Sequence, residues 1–240
     1  MTVDIEDFML QVGLPADNLA TRQAAMTPGV RALHRRVLGQ FADSGGPPSA
    51  DQLTGWAAEL DLELKPALAQ LAGDELVFLD PTGDRVVGGV PFAAGDSAHQ
   101  VRIAGGSTVA TNCAVDALGI SAMVGRDTDV RSTDPRSGEP VTAMSRNGQW
   151  ICEPAEAVVF LGSAGTGRLT DACCPVINFF TDPGNAAAYQ AEHGLDGTVL
   201  SVTGAARVGA LVFGDLLADR AATKPTPRAT VRSPSTEEQS

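Results

Sequence analysis

Between residues 29 and 41 the apolar side chains Val30, Leu33, Val37, Leu38 and Phe41 return every three or four positions, among Arg31, Arg35 and Arg36. That spacing lays them along one stripe of a helix and commits the segment to packing against something else. Gly45-Gly46-Pro47-Pro48 stops this helix, and Ser49 is placed to cap a second one running to about Leu60. A third helix is predicted over residues 63–73. Two short β-type runs follow, 76–79 and 85–87, joined across the turn Asp80-Pro81-Thr82-Gly83-Asp84.

Three helices and then a hairpin is the order of a winged helix-turn-helix, whose usual task is DNA binding. The charges do not suit that task. The candidate recognition helix carries one positive residue, Lys65, and the wing supplies Asp80, Asp84 and Arg85. The whole chain has a formal net charge of −12, whereas a phosphate-binding surface must be basic. Residues 29–90 are therefore expected to form a winged-helix-like packing domain, with no nucleic acid as partner.

The 240 residues suffice for a second, larger unit. Residues 1–28 read as an N-terminal extension, with a loose helix over 5–12 and a linker through Pro15 and Pro28. Beyond Pro91 strands are expected at 100–103, 141–145, 156–161, 176–180 and 198–202. Helices are expected at 113–124, from Asp182-Pro183 to about Gly194, and finally through Leu217. Strands and helices mix without regular βαβ alternation, so the fold class is α+β, with a second domain over 91–220. Residues 221–240, rich in Pro, Thr, Ser and charge, read as a disordered tail.

No apolar run approaches the length of a membrane span, and the start of the chain, Met1-Thr2-Val3-Asp4-Ile5-Glu6-Asp7, lacks a secretory pattern. The expected setting is the cytoplasm, without a membrane partner, where thiols stay reduced. Four cysteines there are read as ligands, nucleophiles or core fillers. If Thr111 or Asn112 caps the helix, Cys113 lies in its first turn, where the helix dipole lowers a thiol pKa. Asp116 lies one turn further on the same face, as a proton acceptor and donor beside sulfur. Cys173-Cys174 directly precedes an expected buried strand, and extended neighbours point opposite ways, so one of the two would share a site with Cys113. Two thiolates from separate segments select a soft, thiophilic metal.

Competing readings are weaker. Structural zinc would need a C-x₂₋₄-C spacing or nearby histidines, and His34, His99 and His193 are scattered. Cys152 reads as packed beside Trp150, and no Cys–His signature of a thiol protease stands out. The glycine-rich stretch Gly162-Ser163-Ala164-Gly165-Thr166-Gly167 follows a strand, but it lacks both the Lys-Ser/Thr ending and the dinucleotide spacing.

Taken together, Cys113-Ala114-Val115-Asp116-Ala117-Leu118, Gly125-Arg126 through Gly138-Glu139-Pro140-Val141, and Cys173-Cys174 with Phe179-Phe180 resemble the organomercurial (alkylmercury) lyase family, over about Val30 to Leu217. That resemblance implies a winged-helix-like domain followed by an α+β catalytic domain of the alkylmercury lyase type. It also implies a mercury-detoxifying activity, protonolysis of a carbon–mercury bond to a hydrocarbon and Hg(II). By the same resemblance the catalytic residues are Cys113, Asp116 and Cys173, with Cys174 a less essential neighbour, and the same three hold mercury transiently. No cofactor is implied. External low-molecular-weight thiols are needed for turnover, and mercury passes to them or to a mercuric reductase. The chain departs from the family pattern at Asn112, where many members have an aromatic residue, and near Asp134, where many carry a structural cysteine. Two alternatives stand beside this reading: a mercury- or thiol-responsive winged-helix regulator, and a divergent lyase-family enzyme with another substrate. Asp116 favours an enzyme, because a sensor needs soft ligands but no acid.

Overall fold

A computed structural model describes residues 19–164 and 169–218. The helix expected over 5–12 and the tail at 221–240 lie outside the described residues. Helix α1 (Leu19–Ala25) occupies ground expected to be linker and buries Leu19, Ala20 and Gln23. The expected apolar stripe becomes α2 (Pro28–Ser44), with Pro28 in its first turn and Thr27 Oγ1 accepting from Val30 N. Gly45, at φ 83°, ends it in the left-handed conformation. Ser49 and Gln52 form a reciprocal capping box at the start of α3 (Ala50–Glu59). Helix α4 (Leu64–Gly73) follows, and the hairpin closes as β1 (Phe78–Leu79) against β2 (Val86–Gly88). Asp80 holds the turn by accepting from the backbone of Asp84 and Arg85. Lys65 of α4 pairs with Asp84 of that turn at 3.3 Å.

The larger part is built on two antiparallel sheets. Strands β3 (His99–Ile103), β4 (Thr108–Thr111), β5 (Thr128–Thr133), β6 (Pro140–Arg146) and β7 (Gln149–Glu153) form one sheet in the order β4-β3-β5-β6-β7. Its strands alternate in burial, with Val101, Ile103, Val130, Val141 and Ala143 turned to the core. Strands β4, β5 and β7 go beyond the sequence expectation. Thr128-Asp-Val-Arg-Ser-Thr133 has Val130 as its single apolar residue, because its buried face is completed by Thr128 and Ser132, and β7 is an edge strand. The β6–β7 turn is Asn147-Gly148 with both φ positive, 51° and 77°, the backbone that a two-residue hairpin demands.

The second sheet sets β8 (Val158–Ser163) between β10 (Asp196–Ser201) and β9 (Asn178–Phe180). Gly162 belongs to β8: a Cβ there would stand 2.5 Å from Asp196 O, so this glycine serves close strand pairing rather than a phosphate loop. Helices α6 (Leu169–Ala172), α7 (Pro183–His193) and α8 (Val202–Phe213) complete the described chain, with α7 capped by Asp182 as expected and α8 ending before Leu217.

Between the sheets runs α5 (Ala114–Val124), buried at every position from Ala114 to Gly119. A helix apolar all round must be enclosed, and α8 encloses it at a backbone crossing. A Cβ on Gly209 would sit 2.8 Å from Gly119 Cα, and one on Gly119 would sit 2.3 Å from Phe213. One continuous hydrophobic cluster joins Leu33 and Leu38 of α2 to Val101, Cys113, Leu118, Val159 and Phe213. The helical segment and the sheets thus share a core, and the result is a mixed α+β fold.

Candidate active site

Cys113 is itself the N-cap of α5, in extended backbone at φ −153° and ψ 176°. Its Sγ accepts from Asp116 N at 3.4 Å, the role a Ser or Asp oxygen usually plays. This corrects the expectation that Thr111 or Asn112 caps the helix. Asp116 stands in the first turn, 3% exposed, beside a cysteine that is 2% exposed. The helix start is tied to the chain after the cysteine pair, since Ala114 N donates to Ile177 O at 3.1 Å.

Cys173 and Cys174 leave α6 in a turn, not on a strand, and β9 begins only at Asn178. Cys173 O accepts from both Val176 N and Ile177 N, which curls the segment. The alternation of an extended chain therefore does not decide which thiol faces Cys113. Among the described residues, Cys113 Sγ, an Asp116 carboxylate oxygen and Cys174 Sγ gather within 4.8 Å of one another. The fold brings Cys174, rather than the expected Cys173, into this cluster. Cys173 is buried beside Ser163, to which it hydrogen-bonds. Cys174 is half-buried, so its side of the cluster is the one nearer solvent.

The electrostatics differ from the sequence expectation too. Burial pushes the Cys113 thiol well above its ordinary range, followed by the hydrogen bond that this thiol donates to Cys174 and the negative charge of Asp116, against which the Asp116 amide pulls weakly. An N-cap position offers one amide, and near-complete exclusion of water outweighs it. Burial likewise raises Asp116 to about 7, opposed by donors of Asn112 and Cys113. Asp116 Oδ2 is buried without a hydrogen-bond partner among the described residues. Near neutral pH the Cys113 sulfur therefore keeps its proton and the Asp116 carboxyl is partly protonated, and both protons can be given up when a cation arrives.

Asn112 acquires a role that sequence reading missed. Its Nδ2 donates to Pro91 O at 3.2 Å, and its side chain also reaches Asp116. An amide thus stands beside the acid at the position where the family pattern often has an aromatic residue. Cys152 lies on β7 opposite Ala143 and outside the cluster. The histidines are engaged elsewhere: His34 with Gln23, His99 with Ser132, and His193 with Tyr189 O. A cavity of about 550 Å³ between α5, α8 and the β6–β7 turn, lined by Ser121, Trp150 and Arg207 among others, contains none of the three cluster residues.

Two cysteines and a carboxylic acid meeting at one buried point suit a soft cation that must also receive a proton nearby. The sequence profile described as MerB, alkylmercury lyase, matches residues 92–214. The chain belongs to the alkylmercury lyase family. The matched region includes the whole Cys113–Asp116–Cys174 cluster. A mercury-bound form of MerB2, known from a crystal structure, is similar in fold, with a TM-score of 0.67 at 16% identity over 90% of this chain and 100% of that one. At this identity the likeness establishes a shared fold. No curated protein sequence matches the chain. No helix among the described residues is long and apolar enough to cross a membrane.

Proposed function

We propose that this alkylmercury lyase family member is an organomercurial lyase, which splits a carbon–mercury bond by protonolysis using Cys113, Cys174 and Asp116. The observation that carries the reading is the convergence of two sulfurs and one carboxyl group within 4.8 Å.

The chemistry follows from the resting protonation. An organomercurial cation first exchanges onto one thiol, and the displaced proton leaves the site. The second thiol then gives its proton to Asp116 as its sulfur joins mercury. Two sulfur donors raise electron density at the metal and weaken its bond to carbon. Protonated Asp116 delivers the proton to carbon as that bond breaks. In total, R–Hg⁺ and two thiols yield R–H, a dithiolate of Hg(II) and one proton. Positioned acid help of this kind is worth about 10²–10⁴ in rate, and holding mercury between two fixed sulfurs adds a proximity gain. Hg(II) is substrate-derived cargo, which leaves onto low-molecular-weight thiols or a mercuric reductase, so turnover requires added thiol.

The segment 29–90 is read as a winged-helix-like packing module. Its core is continuous with that around Cys113, and the Lys65 charge is matched by Asp84, which leaves little for phosphate. The deciding experiment incubates the protein with phenylmercury and excess thiol and measures benzene. Catalytic benzene release that disappears in Cys113→Ser is expected. Stoichiometric mercury binding without any benzene would leave a sensor or a different substrate in its place.

A further inference from the structure

Asp134 follows β5 directly and is fully buried, yet no salt bridge among the described residues accompanies its charge. Its carboxylate is instead saturated by five donors. Oδ1 accepts from Arg136 N at 2.8 Å and Ser137 N at 3.2 Å. Oδ2 accepts from Thr181 N, Thr181 Oγ1 and Asn185 Nδ2, each at 3.0 Å. The first pair belongs to its own β5–β6 turn, which is further closed by Asp134 N to Glu139 O and Gly138 N to Asp134 O, both at 2.9 Å. The other three belong to the junction between β9 and α7. Asn185 in addition donates to Thr181 Oγ1, and its backbone is bound by the α7 cap Asp182.

One buried anion thus joins the five-stranded sheet to the end of β9, and β9 is the strand into which the Cys173–Cys174 turn runs. At the other end of the same short segment, Ile177 O is held by Ala114 N, next to Cys113. The segment carrying the second sulfur is pinned at two points, one of them at the helix that carries the first sulfur and the acid. A buried charge without a counter-ion is costly unless its hydrogen bonds are complete. Here they are complete, and all the donors come from two segments that must keep a fixed separation.

We propose that Asp134 is a positioning residue, whose carboxylate fixes the β9 segment so that Cys174 stays within reach of Cys113 for two-sulfur capture of Hg(II). This deepens the lyase reading and rests on it for the turnover part of the test. Asp134 touches neither sulfur; it acts through Thr181, β9 and Ile177.

The test compares the full chain with Asp134→Asn, which keeps the shape but replaces one acceptor oxygen by a donor. Three quantities are measured: retention of Hg(II) against a competing dithiol, kcat and KM for benzene release from phenylmercury, and thermal stability. Outer-shell partners of metal ligands cost about 10–100-fold in affinity when removed. Retention is expected to fall by about that factor, and kcat to fall while KM changes little, because the first thiol exchange needs one sulfur only. Combining Asp134→Asn with Asn185→Asp exchanges donor and acceptor across the contact and is expected to recover part of the retention. If Asp134→Asn does not fold, Thr181→Val keeps the carboxylate and its other donors, removes the hydroxyl that donates to Asp134 and accepts from Asn185, and is read in the same way. A lower melting temperature with unchanged retention and kcat would reduce Asp134 to a stabiliser and overturn the proposal. So would a wild-type protein unable to hold Hg(II) through two sulfurs. A wild-type protein that holds Hg(II) but releases no benzene defeats the lyase reading, while the retention measurement still decides the role of Asp134.

Discussion

Replacing Asp116 by Asn should separate what the site does from what it costs. Burial raises the folded carboxyl from 3.8 to about 7, so the native state holds a proton that the unfolded chain has already lost. The contribution of Asp116 to stability is therefore fully present below pH 3.8 and is lost as pH rises through about 7. Every tenfold gain in proton affinity on folding corresponds to about 1.4 kcal/mol, so above pH 7 the ionised carboxylate burdens the fold by on the order of 4 kcal/mol. An uncharged amide of the same shape removes that burden but leaves its own buried groups imperfectly paired, at about 1–3 kcal/mol. Asp116→Asn should therefore unfold at higher urea than wild type at pH 8, with the difference shrinking or reversing at pH 5. The same variant should capture phenylmercury and release benzene about 10²–10⁴ times more slowly, equivalent to about 3–5 kcal/mol of barrier. Urea titrations at the two pH values and benzene measured by gas chromatography provide both readouts. Wild-type benzene release by the variant would remove the acid from the mechanism. Equal pH dependence of stability in the two proteins would refute the raised carboxyl.

Three further outcomes are expected. Cys174→Ser should abolish two-sulfur retention of Hg(II) while Cys173→Ser retains it, measured by competition with a dithiol; the opposite ranking would return the second ligand to Cys173. Gly209→Ala, whose Cβ would lie 2.8 Å from Gly119 Cα, should cost about 1–3 kcal/mol by overpacking, seen in urea unfolding; a neutral result would mean that the α5–α8 crossing is loose. Burial raises the Asp134 carboxyl, but the amides of Thr181, Arg136 and Ser137 outweigh it and hold it below the usual range. Its contribution is then present above the unfolded value of 3.8 and lost as pH falls through the lower folded value, so acid unfolding curves should be shallower for Asp134→Asn than for wild type.

Much of this site is legible locally. The stripe Val30–Phe41, the caps at Ser49 and Asp182, and the shared helical face of Cys113 and Asp116 all come from interactions within a few residues, which sequence spacing encodes. The family pattern points to both cysteine segments. Asn147-Gly148 is a further local signal: it marks the β6–β7 hairpin and with it the edge strand β7, which the apolar pattern alone does not reveal. Strand β5 is hidden because Val130 is its single apolar residue and Asp129 has poor strand propensity, which the pairing with β3 and β6 overrides.

By itself, then, the sequence determined the local helices, the approximate class and the kinds of atom brought to the site. Tertiary structure decided which sulfur arrives and in what state. Cys174 rather than Cys173 meets Cys113 because a turn after α6, pinned through Ile177 and Thr181, sets the direction of each side chain. The Cys113 thiol goes up rather than down because packing against a distant part of the chain removes water, and that cost exceeds what one helix-start amide returns. Direction and desolvation both depend on contacts between residues far apart in the chain, and a single sequence does not state those.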